Sequence, residues 1–198
     1  MRTLPISSAP RAVRAAILPS QMVTVYGGQA PALGVHLAAQ LACEEKPSLY
    51  LCGDNHFDPY AVVRCARAQR KNPEEALGRI LVARAFTAYQ LDELIHRLPK
   101  TTDKNLLYGV VIVSGICTSF LDEDITHTDA ARLFYRSLWR LRELSRKGLP
   151  LLLTQSETPN HPQRAHFLTD LFRASHTVIR LEGDSTLEPD SGLSLLAE

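Results

Sequence analysis

Short apolar runs alternate with longer amphipathic segments from Gln21 onward, and this alternation predicts an α/β fold. Several of the short runs are apolar throughout, which is typical of strands covered on both faces, so we expect a mostly parallel sheet. Right-handed crossovers between such strands put helices on both faces and predict a doubly wound domain of three layers. The predicted strands are Met22–Tyr26, Ser48–Cys52, Ile80–Ala83, Leu107–Val113, Leu149–Thr154 and Thr177–Leu181.

Polar residues that precede prolines predict where two of the helices begin. Asp58 and Asn72 each place a capping acceptor before a proline suited to the first helical position. Thr87 with Gln90, and Asn72 with Glu75, fit the reciprocal capping box. The longest helix is predicted from about Thr128 to Lys147, with an inward stripe made of Leu133, Phe134, Leu138 and Leu141.

The two ends of the chain carry the weakest signals. Met1–Pro19 contains proline, serine and arginine, and we interpret it as an N-terminal extension with little structure of its own. Residues 20–198 are interpreted as a single domain. Near the other end, the acidic, turn-rich segment Glu182–Ser191 precedes a candidate last strand, Leu193–Leu196.

Composition narrows the class of protein without naming a partner. The 198 residues carry 22 Lys and Arg against 21 Asp and Glu, so a surface that is phosphate-binding throughout is not expected. Four widely spaced cysteines, with no Cys-x-x-Cys pair, fit small buried side chains in a reducing compartment. No apolar run approaches the roughly 18 residues of a membrane helix, and we expect a cytoplasmic protein without membrane contact.

The first strand-loop-helix unit lies where α/β proteins bind phosphate. It reads Val23–Tyr26, then Gly27-Gly-Gln-Ala-Pro-Ala-Leu-Gly34, then a predicted helix from about Val35 to Cys43. A working phosphate loop adds a Lys for the outer phosphates and a Ser or Thr for magnesium. Here Val35 and His36 follow the last glycine, and neither side chain replaces that chemistry.

Three segments resemble one family in content and in order. They are Phe57–Arg67, the Asn72–Phe86 run with the Thr87–Leu94 helix after it, and the closing strand Leu151–Gln155. From about Leu18 to Leu181 the chain resembles the ATPase core of the RecA/RadA recombinase family, most of all its archaeal and eukaryotic branch. The resemblance implies a three-layer RecA-like P-loop NTPase core with helices on both faces of a mostly parallel, twisted sheet.

Carried over residue by residue, the resemblance implies a degenerate nucleotide site. Gly28 and Gly34 remain, but the phosphate-loop Lys and Thr fall on Val35 and His36, and the acid that organises the metal's water falls on Ser114. Asp54 stands where the family places its water-activating Glu, and Gln155 stands at the phosphate-sensing Gln. With neither Lys nor magnesium nearby, Asp54 has nothing to activate, and a turn role in Gly53-Asp-Asn55 explains it equally well. We therefore expect neither hydrolysis nor an ATP or magnesium cofactor.

The DNA-facing and assembly features of the family are incomplete as well. Only Ser156–His161 separates Gln155 from a predicted helix start at Pro162, so the resemblance implies a truncated second DNA-binding loop. No phenylalanine precedes the first strand, so the Phe-x-x-Ala subunit-joining segment is absent. The resemblance thus implies a non-catalytic accessory or regulatory protein in DNA recombination or repair. Its partner would be another protein, with a catalytic recombinase as the candidate and DNA as a further one.

Two other functions remain open at this stage. One is an atypical ATPase that uses Asp54 and Gln155 with a Lys or Arg from a neighbouring subunit. The other is a module that binds single-stranded nucleic acid through a helical stripe, in which forked arginine donors suit phosphates. The stripe consists of Arg132, Arg136, Arg140, Arg146 and Lys147, and we count no aromatic residue interleaved with it.

Acidic residues and histidines give no metal or nucleophile assignment. Asp122, Glu123 and Asp124, followed by His127, suit a hard cation, but their place before a helix start is explained by the helix dipole. His36, His56 and His166 lack a local partner pattern. We assign no metal ligand and no catalytic residue.

Overall fold

The computed structural model describes residues 1–98, 109–157 and 164–182. Within these ranges, seven strands form one sheet in which every pair is parallel. The strands are β1 (Arg2–Pro5), β2 (Met22–Tyr26), β3 (Ser48–Cys52), β4 (Ile80–Arg84), β5 (Val110–Ser114), β6 (Leu151–Gln155) and β7 (Thr177–Glu182). Their order across the sheet is β1-β7-β2-β6-β5-β3-β4. All six predicted strands are present: Met22–Tyr26 and Ser48–Cys52 have the predicted bounds, and the bounds of the other four differ by one to three residues. Of the predicted strand Leu107–Val113, the first two residues lie outside the described residues.

Helices cover both faces of the sheet. They are α1 (Ala9–Ala16), α2 (Ala30–Cys43), α3 (Pro59–Ala68), α4 (Pro73–Gly78), α5 (Ala88–Arg97), α6 (His127–Arg146) and α7 (His166–Ala174), with a 3-10 turn at Thr118–Phe120. Helices α1 to α4 contribute to one apolar core, and α5 to α7 contribute to the other. The result is a three-layer α/β domain with a RecA-like core, so the predicted fold class is confirmed.

The strands divide their side chains between the two cores because successive residues of a strand point to opposite faces. In β5, Val111 and Val113 pack with α5 and α6, whereas Val110 and Ile112 pack with α2. All five residues of this strand are buried. A strand covered on both faces has no polar face to show, which explains the unbroken apolar runs in the sequence.

Local capping explains three of the helix starts. The side chains of Asp58 and Asn72 accept backbone N–H bonds of 2.8 and 2.9 Å, and Thr87 accepts one of 3.2 Å from Gln90. These N-caps confirm the predictions from sequence. The reciprocal boxes differ, however, because Gln90 accepts from Phe86, one residue before the cap, and the Asn72 acceptor bonds to the second helical residue rather than the third.

The first 19 residues are not an unstructured extension, and that prediction is wrong. Strand β1 pairs with β7, and α1 buries Ala9 and Val13 completely against the core that holds α2. Without these elements, β7 would be an open edge with its apolar residues facing water. The acidic segment beyond Glu182 and the candidate strand Leu193–Leu196 lie outside the described residues, as does the predicted helix start at Pro162.

The four cysteines are all buried and form no disulfide, as their spacing predicts. Burial raises the pKa of the Cys65 thiol to about 11, so this thiol stays protonated at neutral pH. Within the described residues, no helix combines the length and the apolar character needed to cross a bilayer.

Candidate functional site

The candidate site lies at the carboxyl edge of the sheet, where β2, β3, β5 and β6 end. These four strands are adjacent in the sheet, in the order β2-β6-β5-β3. Because they are parallel, the loops that follow them meet at one edge. In open α/β proteins this edge is where ligands bind. The loops carry the residues that the sequence analysis selected: Gly28 after β2, Asp54 after β3, Ser114 at the end of β5 and Gln155 at the end of β6.

The loop after β2 is shorter than the sequence analysis predicts. Only Gly27, Gly28 and Gln29 separate β2 from α2, which begins at Ala30 rather than near Val35. The Ala30 N–H donates to the Gly27 carbonyl at 2.9 Å, and Pro31 has no N–H. The first two residues of α2 therefore offer no N–H group to an anion, in contrast to a loop that cradles phosphates.

Gly34, assigned to the phosphate loop from sequence, lies inside α2 and serves the packing of that helix on the sheet. A Cβ atom at this position would lie 3.0 Å from Thr154 Cγ2 and 3.5 Å from Tyr50 Oη. Its small size lets α2 approach the strands closely. Val35 is buried in the core, and His36 is half-buried on the next helical position, so neither stands at the mouth of a loop.

Asp54 is the centre of a closed hydrogen-bond network. Its side chain is only 2 % exposed, and one carboxylate oxygen accepts from Ser114 Oγ at 2.6 Å. The other oxygen accepts from the His56 backbone N–H at 3.2 Å and from the Cys52 thiol at 3.5 Å. The His56 turn is the Asx-type contact that the sequence analysis offered as its alternative.

The network continues into the next strand. Thr154 Oγ1 donates to Ser114 Oγ at 3.1 Å, so three neighbouring strands are joined by side chains as well as by their backbones. Burial, together with the nearby Asp54 carboxylate, raises the pKa of the Cys52 thiol, so this thiol keeps the proton that it donates. The carboxylate is thus satisfied by neutral donors.

Gly115 permits the close approach of the β5 loop to this carboxylate. Its φ angle is +68°, and a Cβ atom here would lie 2.4 Å from the Cβ of Asp54. Only glycine combines that backbone conformation with that proximity. The Asp54 network therefore depends on a residue that the sequence analysis did not select.

Tyr50 stands beside the same network with an unpaired hydroxyl. The side chain is fully buried, and its Oη has no hydrogen-bond partner among the described residues. Its ring packs edge-on against Phe57 with centroids 5.0 Å apart. Burial raises the pKa of Tyr50, so the phenol is neutral at physiological pH.

Gln155 is buried and committed to the neighbouring loop. Its Oε1 accepts from the Cys117 N–H at 2.7 Å, and its Nε2 donates to Thr118 Oγ1 at 3.2 Å and to the Ser156 carbonyl at 3.1 Å. Both ends of the amide are used to hold the turn after β5. Of the segment Ser156–His161 that follows, only Ser156 and Glu157 belong to the described residues.

A pocket of about 530 Å³ opens beside this edge, between α2 and α3. Its apolar lining comes from Pro31, Ala32, Val35, Ala61 and Cys65, and its polar lining from Gln29, His36, His56, Asp58, Arg64 and Ser156. The one arginine of the lining is paired with Asp58 at 3.1 Å. Burial lowers the pKa of His36, so its imidazole is uncharged at neutral pH. The pocket therefore holds no unpaired cation for a triphosphate.

The first three arginines of the predicted basic stripe, Arg132, Arg136 and Arg140, do not share one solvent-exposed face of α6. Arg140 is buried, and it donates to the Leu98 carbonyl at 3.0 Å and to Glu143 at 2.9 Å. Arg136 forms an ion pair with buried Asp92, and Arg132 pairs with Asp129 at 3.0 Å. Further along, Lys147 pairs with Glu143, and Arg146 is exposed. Most of the stripe is engaged within the chain.

The statement that no aromatic residue is interleaved with this stripe is wrong. Tyr135 and Trp139 lie on α6 among the arginines, and they are 43 % and 65 % exposed. Tyr135 donates to Asp170 at 2.7 Å, whereas the Trp139 ring extends from the helix into solvent. The signal in the sequence was their spacing of four residues, which places both on one side of the helix.

The acidic segment before α6 has a structural role. Asp122 accepts the Asp124 N–H at 3.0 Å, and the acid in the first turn of α6 is Asp129, held by the Thr126 cap. His127 and His166 stack edge-on at 6.1 Å between ring centroids. No group of three or more His, Cys, Asp or Glu side chains within the described ranges is arranged to hold a metal ion.

Comparisons with known proteins do not assign the chain to a family. Neither the models of protein families nor the curated proteins contain a match to this chain.

Proposed function

We propose that this chain is a non-catalytic protein with a RecA-like core that acts as an accessory or regulatory binding protein. The resemblance described above suggests DNA recombination or repair as the process. The role of the protein is then to contact a partner, with a catalytic recombinase as the first candidate, rather than to hydrolyse a nucleotide.

The closed network around Asp54 is the observation that carries this proposal. A general base needs a lone pair that can reach water in a substrate-bound site, and this carboxylate is buried with donors on both oxygens. Phosphoryl transfer also relies on cations that offset the charge of the phosphates. The lining of the adjacent pocket contains no lysine, and its arginine is paired.

ATP hydrolysis and nucleotide binding test the first half of the proposal. The purified protein is assayed for phosphate release with ATP and magnesium, and its melting temperature is measured with ATP, with ADP and without nucleotide. We expect no turnover and no magnesium-dependent stabilisation, since a ligand that binds the folded state raises its stability. Turnover that disappears in Asp54→Asn would establish the atypical ATPase instead.

The free edge of the sheet supports a protein partner. Strand β4 ends the sheet, and no described strand pairs with its outer side. Exposed edges usually carry lysine, proline or a bulge that blocks pairing, but β4 reads Ile-Leu-Val-Ala-Arg. Leu81 is 54 % exposed, and Phe86 just after the strand is 70 % exposed. This edge fits an extended segment of another protein, which adds a strand and buries these side chains.

Titration calorimetry with the catalytic recombinase of the same cell tests this half of the proposal. We expect Leu81→Lys combined with Phe86→Ser to abolish binding, because a buried lysine at the strand edge is costly. Tyr60→Ser is the matched control, since Tyr60 is a 73 % exposed aromatic residue on α3. Absence of binding by the unmodified protein, or equal binding by the edge variant, refutes docking at β4.

A further inference from the structure

The outer side of α6 carries a stripe of exposed side chains with the spacing by which helices pack side by side. Tyr135, Trp139, Arg142 and Arg146 are all exposed, and they follow one another at intervals of four, three and four residues. Intervals of three and four keep side chains on one side of a helix, as in the contact between two paired helices. We name these four residues the α6 stripe. It begins with two aromatic rings and ends with two guanidinium groups.

The neighbouring helix α7 accompanies only the first part of α6. The rings of His127 and His166, at the starts of the two helices, lie 6.1 Å apart, and the Tyr135 hydroxyl donates to Asp170, so the helices run in the same direction. Helix α7 ends four residues after Asp170, whereas α6 continues for eleven residues after Tyr135, which is about 16 Å. In the part of the chain that the structure describes, no helix continues beside the end of α6 on the α7 side.

The aromatic half of the stripe has the properties of a binding surface for protein. Trp139 is 65 % exposed and is the single tryptophan of the sequence. Tyr135 is held in place, because its ring packs edge-on against Phe134 at 5.3 Å between centroids and its hydroxyl is bonded to Asp170. Tryptophan, tyrosine and arginine are the residues that contribute most to binding energy at protein interfaces. A side chain that is already fixed also loses little conformational freedom when a partner binds.

The basic half of the stripe has no acid of its own helix to pair with. Helix α6 contains five arginines against two acids, although the whole chain has a net charge of only +1. Both acids, Asp129 and Glu143, already pair with other cations. Arg142 and Arg146 are therefore exposed positive charges, and the partner that complements them is acidic.

We propose that the α6 stripe is the docking site for an acidic amphipathic helix of another protein. Apolar side chains of that helix pack on Tyr135 and Trp139, and its carboxylates pair with Arg142 and Arg146. Each guanidinium group offers two parallel N–H donors to a carboxylate, which fixes the register of the partner. The partner helix lies beside the end of α6, beyond the last turn of α7.

A second copy of this chain fits the stripe poorly. A two-fold axis through Trp139 would place Arg142 opposite Arg136 of the other copy. It would likewise place Arg146 opposite Arg132. Like charges that face each other across an interface cost several kcal/mol, so the pattern of arginines disfavours self-association through this face.

A nucleic acid fits the stripe less well than an acidic helix. Glu143 adjoins Arg142 on the helix, and the Asp170 carboxylate lies at the Tyr135 hydroxyl. A continuous line of phosphates along the stripe would meet these negative charges. A protein helix places a carboxylate only at positions that face an arginine, and apolar side chains elsewhere.

The inference goes beyond the proposed docking at β4 and does not depend on it. Strand β4 is at one end of the sheet order, whereas α6 is the helix that leads into β6. Leu81→Lys with Phe86→Ser, which should abolish docking at β4, should leave binding at the α6 stripe unchanged. Failure of one site is thereby distinguishable from failure of the other.

Intrinsic fluorescence gives a direct test, because the signal comes from Trp139 alone. The probe is a synthetic alanine-based helix of about 18 residues, since shorter isolated helices are marginal in water. It carries leucines in one half of a stripe with the same 4-3-4 spacing and glutamates in the other half. We expect a saturable shift of the emission to shorter wavelength as the indole is covered. Trp139→Ala should weaken binding of the labelled peptide, measured by anisotropy, by about 30-fold.

A charge exchange tests the basic half of the stripe. Arg142→Glu with Arg146→Glu should weaken binding of the glutamate peptide by at least about 10-fold. The same variant should bind a peptide in which lysines replace the glutamates. The matched control is Arg11→Glu with Arg67→Glu, which makes the same change of charge at exposed positions on α1 and α3. The control should bind the glutamate peptide as the unmodified protein does.

Four results would overturn the inference. The first is the absence of an emission shift with the glutamate peptide at low salt. The second is an equal loss of affinity in the two double variants, which would show that only net charge matters. The third is displacement of the peptide by an oligothymidylate that binds more tightly, which would assign the surface to nucleic acid. The fourth is dimerisation in sedimentation that Trp139→Ala abolishes, which would assign it to a second copy.

Discussion

Replacing Asp54 tests whether its carboxylate is structural or catalytic. Loss of a structural carboxylate lowers the stability of the fold, whereas loss of a catalytic one lowers ATP turnover. In Asp54→Ala, Ser114 Oγ loses an acceptor at 2.6 Å, and the His56 N–H loses one at 3.2 Å. A hydrogen bond to a charged group contributes about 1.5–3 kcal/mol, and a neutral one about 1 kcal/mol. Relief from burying the carboxylate offsets part of this sum. We expect a net loss of about 2 kcal/mol in the free energy of unfolding.

Urea denaturation and thermal melting measure this loss. For a chain of this size, about 2 kcal/mol lowers Tm by about 4–8 °C. A double-mutant cycle with Ser114→Ala should show coupling, because the two residues share one hydrogen bond. Asp54→Asn should be destabilised as well, with no change in ATP turnover. A variant of normal stability that loses an ATPase activity present in the unmodified protein would refute the structural role.

Three further predictions test other parts of the structure. Gly115→Ala should lower the free energy of unfolding by at least about 2 kcal/mol, because φ is +68° there and the added Cβ atom would overlap Asp54. The control Gly28→Ala should leave the melting temperature unchanged, because no atom lies within 4 Å of a Cβ atom at that position. Burial lowers the pKa of His36 from 6.5, so the unfolded chain binds a proton at this residue more readily than the folded chain does. The contribution of His36 to the free energy of unfolding is therefore fully present above pH 6.5, and it is lost as the pH falls through the pKa of the folded state. His36→Gln should flatten part of that decline in melts between pH 7 and 5, and an unchanged profile would contradict the shift. Arg136→Met should lower the free energy of unfolding, measured with urea, by about 2 kcal/mol, because its carboxylate partner Asp92 is buried. Arg132→Met, which removes an exposed ion pair, should change it by less than about 0.5 kcal/mol. Equal losses in the two variants would contradict this difference.

The four central strands could be predicted from sequence because burial on both faces gives them a continuous apolar pattern. Five consecutive apolar or small residues, as in Val110–Ser114, are typical of a strand that is covered on both faces. The N-terminal strand Arg2–Pro5 has no such pattern, since it lies at the sheet edge and most of its residues are exposed. Edge strands draw their stability from the neighbour that they pair with, and a single sequence does not reveal that neighbour.

The start of α2 shows a different limit of sequence reasoning. A glycine indicates either a special backbone conformation or a close approach, and the sequence does not distinguish the two. Gly27 has a φ angle of +135° and belongs to a turn, whereas Gly34 is helical and lies against Thr154. Because the two roles look alike in sequence, the predicted helix starts near Val35, five residues after the first residue of α2.

The prediction that Arg132, Arg136 and Arg140 share one exposed face was wrong for a geometric reason. A series of residues spaced four apart drifts gradually around a helix, because each step of four advances the side chain by about 40° around the axis. From Arg132 to Arg140 the rotation reaches about 80°, which moves the last guanidinium from solvent to a buried position under Leu98. The acidic partners come from other parts of the fold, such as Asp92 on α5, and only the structure brings them together.

The residues around Asp54 are chemically consistent with one another. Where the resemblance implies a second acid, this chain has Ser114, whose hydroxyl lies 2.6 Å from the Asp54 carboxylate. Two carboxylates at that distance would repel one another unless a cation stood between them, and the lysine that would accompany such a cation is missing. A hydroxyl needs no cation, because it donates the proton that the carboxylate requires. Ser114 beside Asp54, the absence of a lysine from the lining of the adjacent pocket and the burial of Asp54 are therefore mutually consistent, and they support the proposal of a protein that acts by binding.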